Sequence, residues 1–333
     1  MELLAKIGHW VGVDLGGTWL RVVLSDEKGK FVDRIGEKVD KSSAEAISEQ
    51  VVKIIRFLCK RKRFQVSFLK GVGIAATGPL MQDEGVLTKP VNIPFDLVPL
   101  TKPVSAELGL PVCLINDCAG AALGENTFGA AKGLDNFVFI TIGTGIGCGA
   151  IVNGTLLLGK DGNGHEVGHF VIDSEGKLTC GCGKPGHWEG YCSGKNIPNF
   201  VRMKIKEFPQ EVVNRSQLVE RVGGDLSKLS AADLFDAAKQ RDGLSLKIVD
   251  ELGVLNAMGF ANVISAYDPS LITVGGTVTL KNKRMILSPI RKYVGKYTVN
   301  RVPKIEVTPL GDDVGLYGAV ATAMKYLARA HTR

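Results

Sequence analysis

Three short glycine-rich segments carry the residue types that phosphate chemistry requires. Asp14-Leu15-Gly16-Gly17-Thr18 places a carboxylate, two glycines and a hydroxyl within five positions, and Arg21 follows three residues on. Phosphate is held by backbone N–H groups aimed inward, and glycine lets the chain approach without a Cβ in the way. The Asp14 carboxylate suits a magnesium ion reached through water, since magnesium keeps much of its hydration. Gly143-Thr144-Gly145 repeats the same parts, and Gly275-Gly276 supplies a third turn directly after an apolar run. Each turn alone also reads as a tight hairpin with no ligand. Three together, two of them in a repeated setting, point to one triphosphate. Neither G-x-x-x-x-G-K-[ST] nor a helix-opening G-x-G-x-x-G occurs near the start, so paired hairpins must form the cradle.

A second group of residues has metal-ligand chemistry. His169, Cys180, Cys182 and His187 together offer two thiolates and two imidazoles, a set that suits tetrahedral zinc in a closed structural site. The alternatives are loop cysteines without metal, or a rearranged set that uses Cys192. His165-Glu166-Val167-Gly168-His169 also spells H-E-x-x-H, the zinc-protease signature. That motif needs a helix to put both imidazoles on one face. Gly162, Gly164 and Gly168 disfavour one at about 1 kcal/mol each, and Phe170 to Ile172 reads as strand. The protease reading is set aside on those grounds.

The elements that must position these groups follow from periodicity and turn chemistry. Strands are expected at Trp10 to Asp14, Leu20 to Ser25 and near Phe31. Ser42-Ser43-Ala44-Glu45 reads as a capping box before a helix from Ala46 to Cys59. A buried strand, Leu69 to Ala75, closes on Thr77-Gly78-Pro79. Pro-rich loops then lead to a strand at Val112 to Asn116 and a small-residue helix from about Cys118 to Phe128. The opening pattern returns at Phe137 to Ile142, with a glycine turn, a strand at Cys148 to Val152, and an Asn153-Gly154 hairpin to Thr155 to Leu158. The strand, Gly/Thr turn, strand unit thus occurs twice, about 130 positions apart. Gly162 to Ser193 reads as irregular. Helices follow at Ala231 to Gln240 and roughly Leu246 to Ala266, then strands at Leu271 to Val274 and Ile305 to Thr308, and a closing helix from Val314 to Ala328.

At 333 residues the chain fits two domains. Its formal charge of +7 fits an anionic ligand such as a nucleotide and equally an ordinary basic surface. The main basic run, Lys60-Arg61-Lys62-Arg63, ends a predicted helix and lacks interleaved aromatics, which speaks against nucleic acid. No apolar stretch is expected to reach membrane-spanning length, and no signal-peptide core opens the chain. Seven cysteines, an odd number, fit a reducing compartment. Membrane association is therefore not expected, and a cytoplasmic location is.

In order along the chain, DLGGTWLR, Asn116-Asp117, ITIGTGIGCG, EVGH and CGCGKPGHWE resemble the ROK family of sugar kinases and sugar-responsive repressors, from about Trp10 to Ala328. The resemblance implies an α/β fold: a two-domain, actin-like (ribonuclease H-like) ATPase clamp with the duplicated strand–Gly/Thr turn–strand unit. It implies ATP held with magnesium by Asp14, Gly16, Gly17, Thr18, Arg21, Thr144, Gly145, Gly275 and Gly276. Asp117 matches the family's catalytic carboxylate. The base in phosphoryl transfer accepts the proton of the attacking hydroxyl, and Asp117 stands at a strand end where side chains enter the cleft of an open sheet. Its structural alternative is a helix N-cap. Asn92, Asn116, Glu166, His169 and Glu189 match the family's hexose contacts, although Asn92 by itself reads as a turn residue, and Gly78 would let its loop approach the sugar ring. The family usually has a third Cys where this chain has His187, and a small residue where it has His165.

These readings converge on ATP-dependent phosphorylation of a hexose, with glucose at its 6-hydroxyl the leading acceptor. Mannose, fructose and N-acetylated hexosamines are the alternatives. The domain expectation is a small domain over 1–117, completed by the C-terminal helix 314–330, and a large domain over 118–313. A homodimer is a family expectation. A sugar-sensing repressor is the rival from another class, but its helix-turn-helix has no room in the nine residues before Trp10. A non-catalytic scaffold is the third reading, opposed by Asp14, Asp117 and Glu189.

Overall fold

The fold was read from a computed structural model, which describes residues 8–90 and 92–328. Strands β1 (His9–Leu15) and β2 (Trp19–Ser25) form an antiparallel hairpin across the first glycine turn, with Asp14 opposite Arg21. β3 (Phe31–Lys38) pairs with β2, and β4 (Leu69–Ala76) runs parallel to β1. Three short strands, β5 (Leu80–Met81), β6 (Val86–Thr88) and β7 (Leu97–Pro99), make a small antiparallel sheet. β8 (Val112–Asn116) then joins β4 in parallel, giving the order β3-β2-β1-β4-β8.

The near-continuous apolar character of β1 follows from cover on both faces of the sheet. Val11, Val13 and Leu15 pack with Ile47, Val51, Ile55 and Leu58 of the helix Ala44–Lys62. Trp10 of β1, with Val23 of β2, meets Leu316, Val320, Ala323 and Leu327 of the C-terminal helix Val314–Leu327. That helix also lies against the helix Asp117–Phe128, so closely that a Cβ on Gly318 would stand 2.4 Å from the carbonyl carbon of Gly120. Glycine at this crossing is a packing requirement.

The second sheet repeats the first strand for strand. β9 (Phe137–Ile142), β10 (Ile146–Val152) and β11 (Thr155–Leu156) correspond to β1, β2 and β3. β12 (Leu271–Gly275) runs parallel to both β9 and β13 (Lys304–Val307). The order β11-β10-β9-β12-β13 reproduces β3-β2-β1-β4-β8. The duplication expected from the glycine turns is thus a duplication of whole sheet topology. The chain's contacts cluster into two compact units. One holds residues up to Asp135, 149–165 and those from Thr308 onward, and so includes the whole helix Asp117–Phe128; the other holds Asn136–Cys148 and Glu166–Val307.

Several local expectations are corrected. Helix Ala44–Lys62 is capped by Ser43, whose hydroxyl accepts from Ala46 N at 3.0 Å; the box anticipated from Ser42 to Glu45 is one residue out of phase. Phe170 to Ile172 forms no strand, only an isolated bridge between Val171 and His187. One helix, Gly243–Tyr267, does have the length and composition of a membrane span, against the expectation of none. Its burial is that of a core helix, with 61% of the span-like window inside the protein and Asn256 accepting from Trp188 Nε1 at 2.9 Å.

Candidate active site

In the first unit the glycine turn is held at its base by Gly16 N donating to Trp19 O at 3.0 Å and Thr77 N donating to Leu15 O at 3.1 Å. Asp14, next to the last residue of β1, is half-buried. Burial pushes its carboxyl above the usual carboxylate range, and the neighbouring Arg21 guanidinium offsets only part of that. Arg21 Nε donates to Asp14 Oδ2 at 2.8 Å, its Nη2 also contacts Oδ2, and its Nη1 donates to Asp312 O at 2.8 Å. Arg21 is therefore committed to holding Asp14, and both of its contacts with that carboxylate fall on Oδ2.

Asn116 ends β8 and Asp117 follows it, and here the structure divides two jobs that the sequence left on one residue. Asn116 is the N-cap of the helix Asp117–Phe128: its Oδ1 accepts from Cys118 N at 2.9 Å and Ala119 N at 3.3 Å. The capping alternative for Asp117 thus passes to its neighbour. Asp117 is the first helical residue, with Oδ1 accepting from Cys118 N at 2.8 Å and Oδ2 from the Thr77 hydroxyl at 2.9 Å. Two fixed donors set the plane of this carboxylate. Asp117 is also near enough to Asp14 for its charge to be felt there. Thr77 was legible only as a strand end, because its partner stands 40 residues away in sequence.

Gly78 lies beside Asn116 and Asn163: a Cβ there would stand 3.4 Å from Asn116 Nδ2 and 3.2 Å from Asn163 Oδ1. Asn92 is exposed in a left-handed turn conformation, φ 65°, with its carbonyl accepting from Lys41 Nζ at 2.5 Å. The turn reading of Asn92 describes its backbone.

In the second unit, two of the expected phosphate turns adjoin. The ideal Cβ position of Gly143 is 3.7 Å from Thr277 N and 3.8 Å from Gly276 Cα. Gly194 N donates to Gly143 O at 2.7 Å and Lys195 N to Thr144 O at 3.3 Å, clamping the turn from outside. Glu189 opens a short helix and its Oε2 accepts from Ile146 N at 2.8 Å. A Cβ at Gly145 would stand 2.5 Å from that oxygen, so a larger residue there would displace the carboxylate or the turn.

The Cys/His segment brings its four residues together. The ligand atoms of His169, Cys180, Cys182 and His187 all lie within 4.8 Å of one another. His187 Nδ1 is 3.3 Å from Cys182 Sγ and His169 Nδ1 is 3.9 Å from Cys180 Sγ. Donors around a tetrahedral zinc are separated by about 3.3–3.8 Å, so a small contraction would complete such a site. Burial pushes the Cys180 thiol up to about 12 and His187 below the usual imidazole range. Cys192, the alternative ligand, is not in this group; it is buried with its sulfur toward Leu252 O at 3.9 Å. Glu166 Oε2 stands 3.7 Å from His169 Nε2. The H-E-x-x-H segment forms only a three-residue 3-10 turn, Val167–His169, so it lacks the helix that a protease site needs.

Duplicated sheets carrying glycine turns, with a carboxylate at a strand end, define the two-domain actin-like, ribonuclease H-like ATPase fold. The ROK family model matches residues 10–326, and the chain belongs to that family. It is 34% identical over 319 residues to the glucokinase of Pyrobaculum calidifontis, covering 96% of both chains. A crystal structure of a ROK family glucokinase from Streptomyces griseus in complex with glucose and AMPPNP superposes with a TM-score of 0.76 at 30% identity, covering 94% of this chain and 98% of that one. The xylose repressor of Bacillus subtilis is more distant, 27% identical over 289 residues, with 69% of its length covered.

Proposed function

We propose that this protein transfers the terminal phosphoryl group of ATP to a hexose, with glucose as the acceptor and its 6-hydroxyl as the nucleophile. The observation that carries the reading is the fixed orientation of Asp117 by Thr77 Oγ1 and Cys118 N. Phosphoryl transfer needs alignment, charge neutralisation and a carboxylate positioned to take the hydroxyl proton as the new P–O bond forms. A carboxylate with two donors already in place loses little freedom on meeting the sugar. Asp117 is assigned as that base. Gly78, Asn92, Asn116, Glu166, His169 and Glu189 are assigned to the hexose, whose hydroxyls are read by groups that accept or donate paired hydrogen bonds. The glucokinase likeness over nearly the whole chain supports this assignment over the repressor reading.

Gly16, Gly17, Thr18, Thr144, Gly145, Gly275 and Gly276 are assigned to ATP. Asp14 would hold magnesium through water, its Oδ1 being clear of both Arg21 contacts. Magnesium neutralises charge on the phosphates when bound. Arg21 serves this group by fixing Asp14. The two-sulfur, two-nitrogen set fits zinc, held by His169, Cys180, Cys182 and His187. Bound there, zinc would supply a structural brace that fixes the ring of His169. No cysteine of the described residues is joined in a disulfide, which supports a reducing, cytoplasmic setting. A homodimer remains the expected assembly, open to sedimentation analysis.

The test is kinetic. Asp117→Asn keeps size and one acceptor but cannot take the proton. It is expected to lower kcat by about 10³-fold or more while the glucose Kd stays within tenfold. Near-normal turnover in this variant would remove Asp117 as the base.

A further inference from the structure

The loop after β11 carries Asn163, which neither the family match nor its charge singles out. Its carboxamide makes a two-way connection to Leu80, the first residue of β5. Asn163 Nδ2 donates to Leu80 O at 3.0 Å, and Oδ1 accepts from Leu80 N at 3.4 Å. Reciprocal bonding of this kind fixes a backbone segment in two directions, because one planar amide satisfies both a donor and an acceptor. The partners are 83 residues apart in sequence, so this is a tertiary tie within the first unit.

The tie falls at the place where the hexose assignment needs precision. Oδ1 of Asn163 is 3.2 Å from the ideal Cβ position of Gly78, and Asn116 Nδ2 is 3.4 Å from the same point. Thr77, on the other side of Gly78, orients Asp117. The loop that carries Asn163 is itself seated on this strand end. Gly164 N donates to Leu158 O at 2.8 Å, and a Cβ at Gly162 would stand 3.0 Å from both Gln82 Oε1 and Leu80 Cδ1.

We infer that Asn163 is a positioning residue of the hexose site: its carboxamide holds Leu80, and through it the Thr77–Gly78 backbone, at the spacing from Asn116 and Asp117 that the sugar requires. It acts on the acceptor side of the reaction, through Gly78 and Thr77, and it does not touch the nucleotide turns. The inference rests on the proposed hexose kinase reading.

Steady-state kinetics on the full chain separate the possibilities. Wild-type protein is first assayed with ATP against glucose, mannose, fructose and N-acetylglucosamine; absence of turnover with all four overturns the kinase reading itself. With turnover established, Asn163→Ala is expected to raise the KM for the preferred hexose about tenfold or more, with the KM for ATP within twofold. Asn163→Asp, which keeps Oδ1 and loses the donor, is expected to fall between the wild type and Asn163→Ala. A merely structural role would instead lower the thermal midpoint and raise both KM values together, and that result overturns the inference. So does an unchanged hexose KM in Asn163→Ala. A second reading comes from Gly78→Ala, whose added methyl presses on Asn163 Oδ1. Its effect on hexose KM is expected to be smaller in an Asn163→Ala background than in the wild type, as for directly coupled residues. Additive effects of the two substitutions would show that Asn163 and Gly78 act separately, against the inference.

Discussion

Glu189 ties the second glycine turn to the Cys/His segment. One oxygen accepts from Ile146 N at the exit of the turn, and the other stands 3.4 Å from Cys180 Sγ. The Gly143–Gly145 backbone is therefore shaped by a side chain that also meets the Cys/His segment. Gly145→Ala tests how much this matters. Its methyl would stand 2.5 Å from Glu189 Oε2, inside any real carbon–oxygen contact, so either the turn or the carboxylate must move. The expected outcome is a fall of about 100-fold in kcat/KM for ATP, equivalent to ~2.7 kcal/mol of transition-state stabilisation. The check is a titration of ATP at saturating hexose, with circular dichroism confirming that the variant is folded.

Among the elements, the long core helix Gly243–Tyr267 depends on its first residues. Asp242 is its N-cap. Its Oδ2 accepts from Ser245 N at 2.8 Å and from the Ser216 hydroxyl at 2.9 Å, and its Oδ1 accepts from Gln217 N at 3.1 Å. Burial alone would raise this carboxyl, but the bonds from Ser245, Ser216 and Gln217 outweigh it and the net shift is downward. A carboxyl depressed in the folded state stabilises above its unfolded value and loses that contribution as pH falls through the folded one. Asp242→Ala is expected to cost about 2 kcal/mol at pH 7, and the gap from wild type should shrink as the pH drops below about 4. Urea melts at the two pH values measure it. Elements of this size were legible because apolar periodicity marks them: β8 and β9 fall on the residues that the sequence indicates, and the helices at 44–62 and 243–267 differ only at their ends. The short strands β5 to β7 and the helix Thr101–Leu108 were hidden by the prolines around them. The helix Lys283–Tyr293 was hidden by the internal Pro289. The Cys/His loop follows no period, since Gly176, Gly183 and Gly186 take positive φ and its bonds are local turns. The glycine turns were legible as turns because glycine lets the backbone close tightly, as Gly16 N to Trp19 O and Gly143 N to Gly145 O show. The Thr77–Asp117 and Asn163–Leu80 contacts were not, because only the fold brings those partners together.

For the whole molecule, the repeated sheet order means that each half is a similar scaffold with different attachments. The second carries the Cys/His segment, where a metal would act as a cross-link for a loop with few apolar contacts of its own. Removing it with a chelator is expected to lower the thermal midpoint by about 5 °C and to weaken hexose binding, with zinc restoring both. Cys180→Ser should show the lowered midpoint without any further response to chelator, as followed by differential scanning calorimetry. The first half has a dependence of another kind. The cover for Trp10 and Val23 of its sheet is supplied by Leu316, Val320, Ala323 and Leu327, far later in the chain. During synthesis one side of that sheet stays without this cover until residues 316–327 have been made. Until then that surface is a binding opportunity for chaperones, and the helix Val314–Leu327 is the one that closes it.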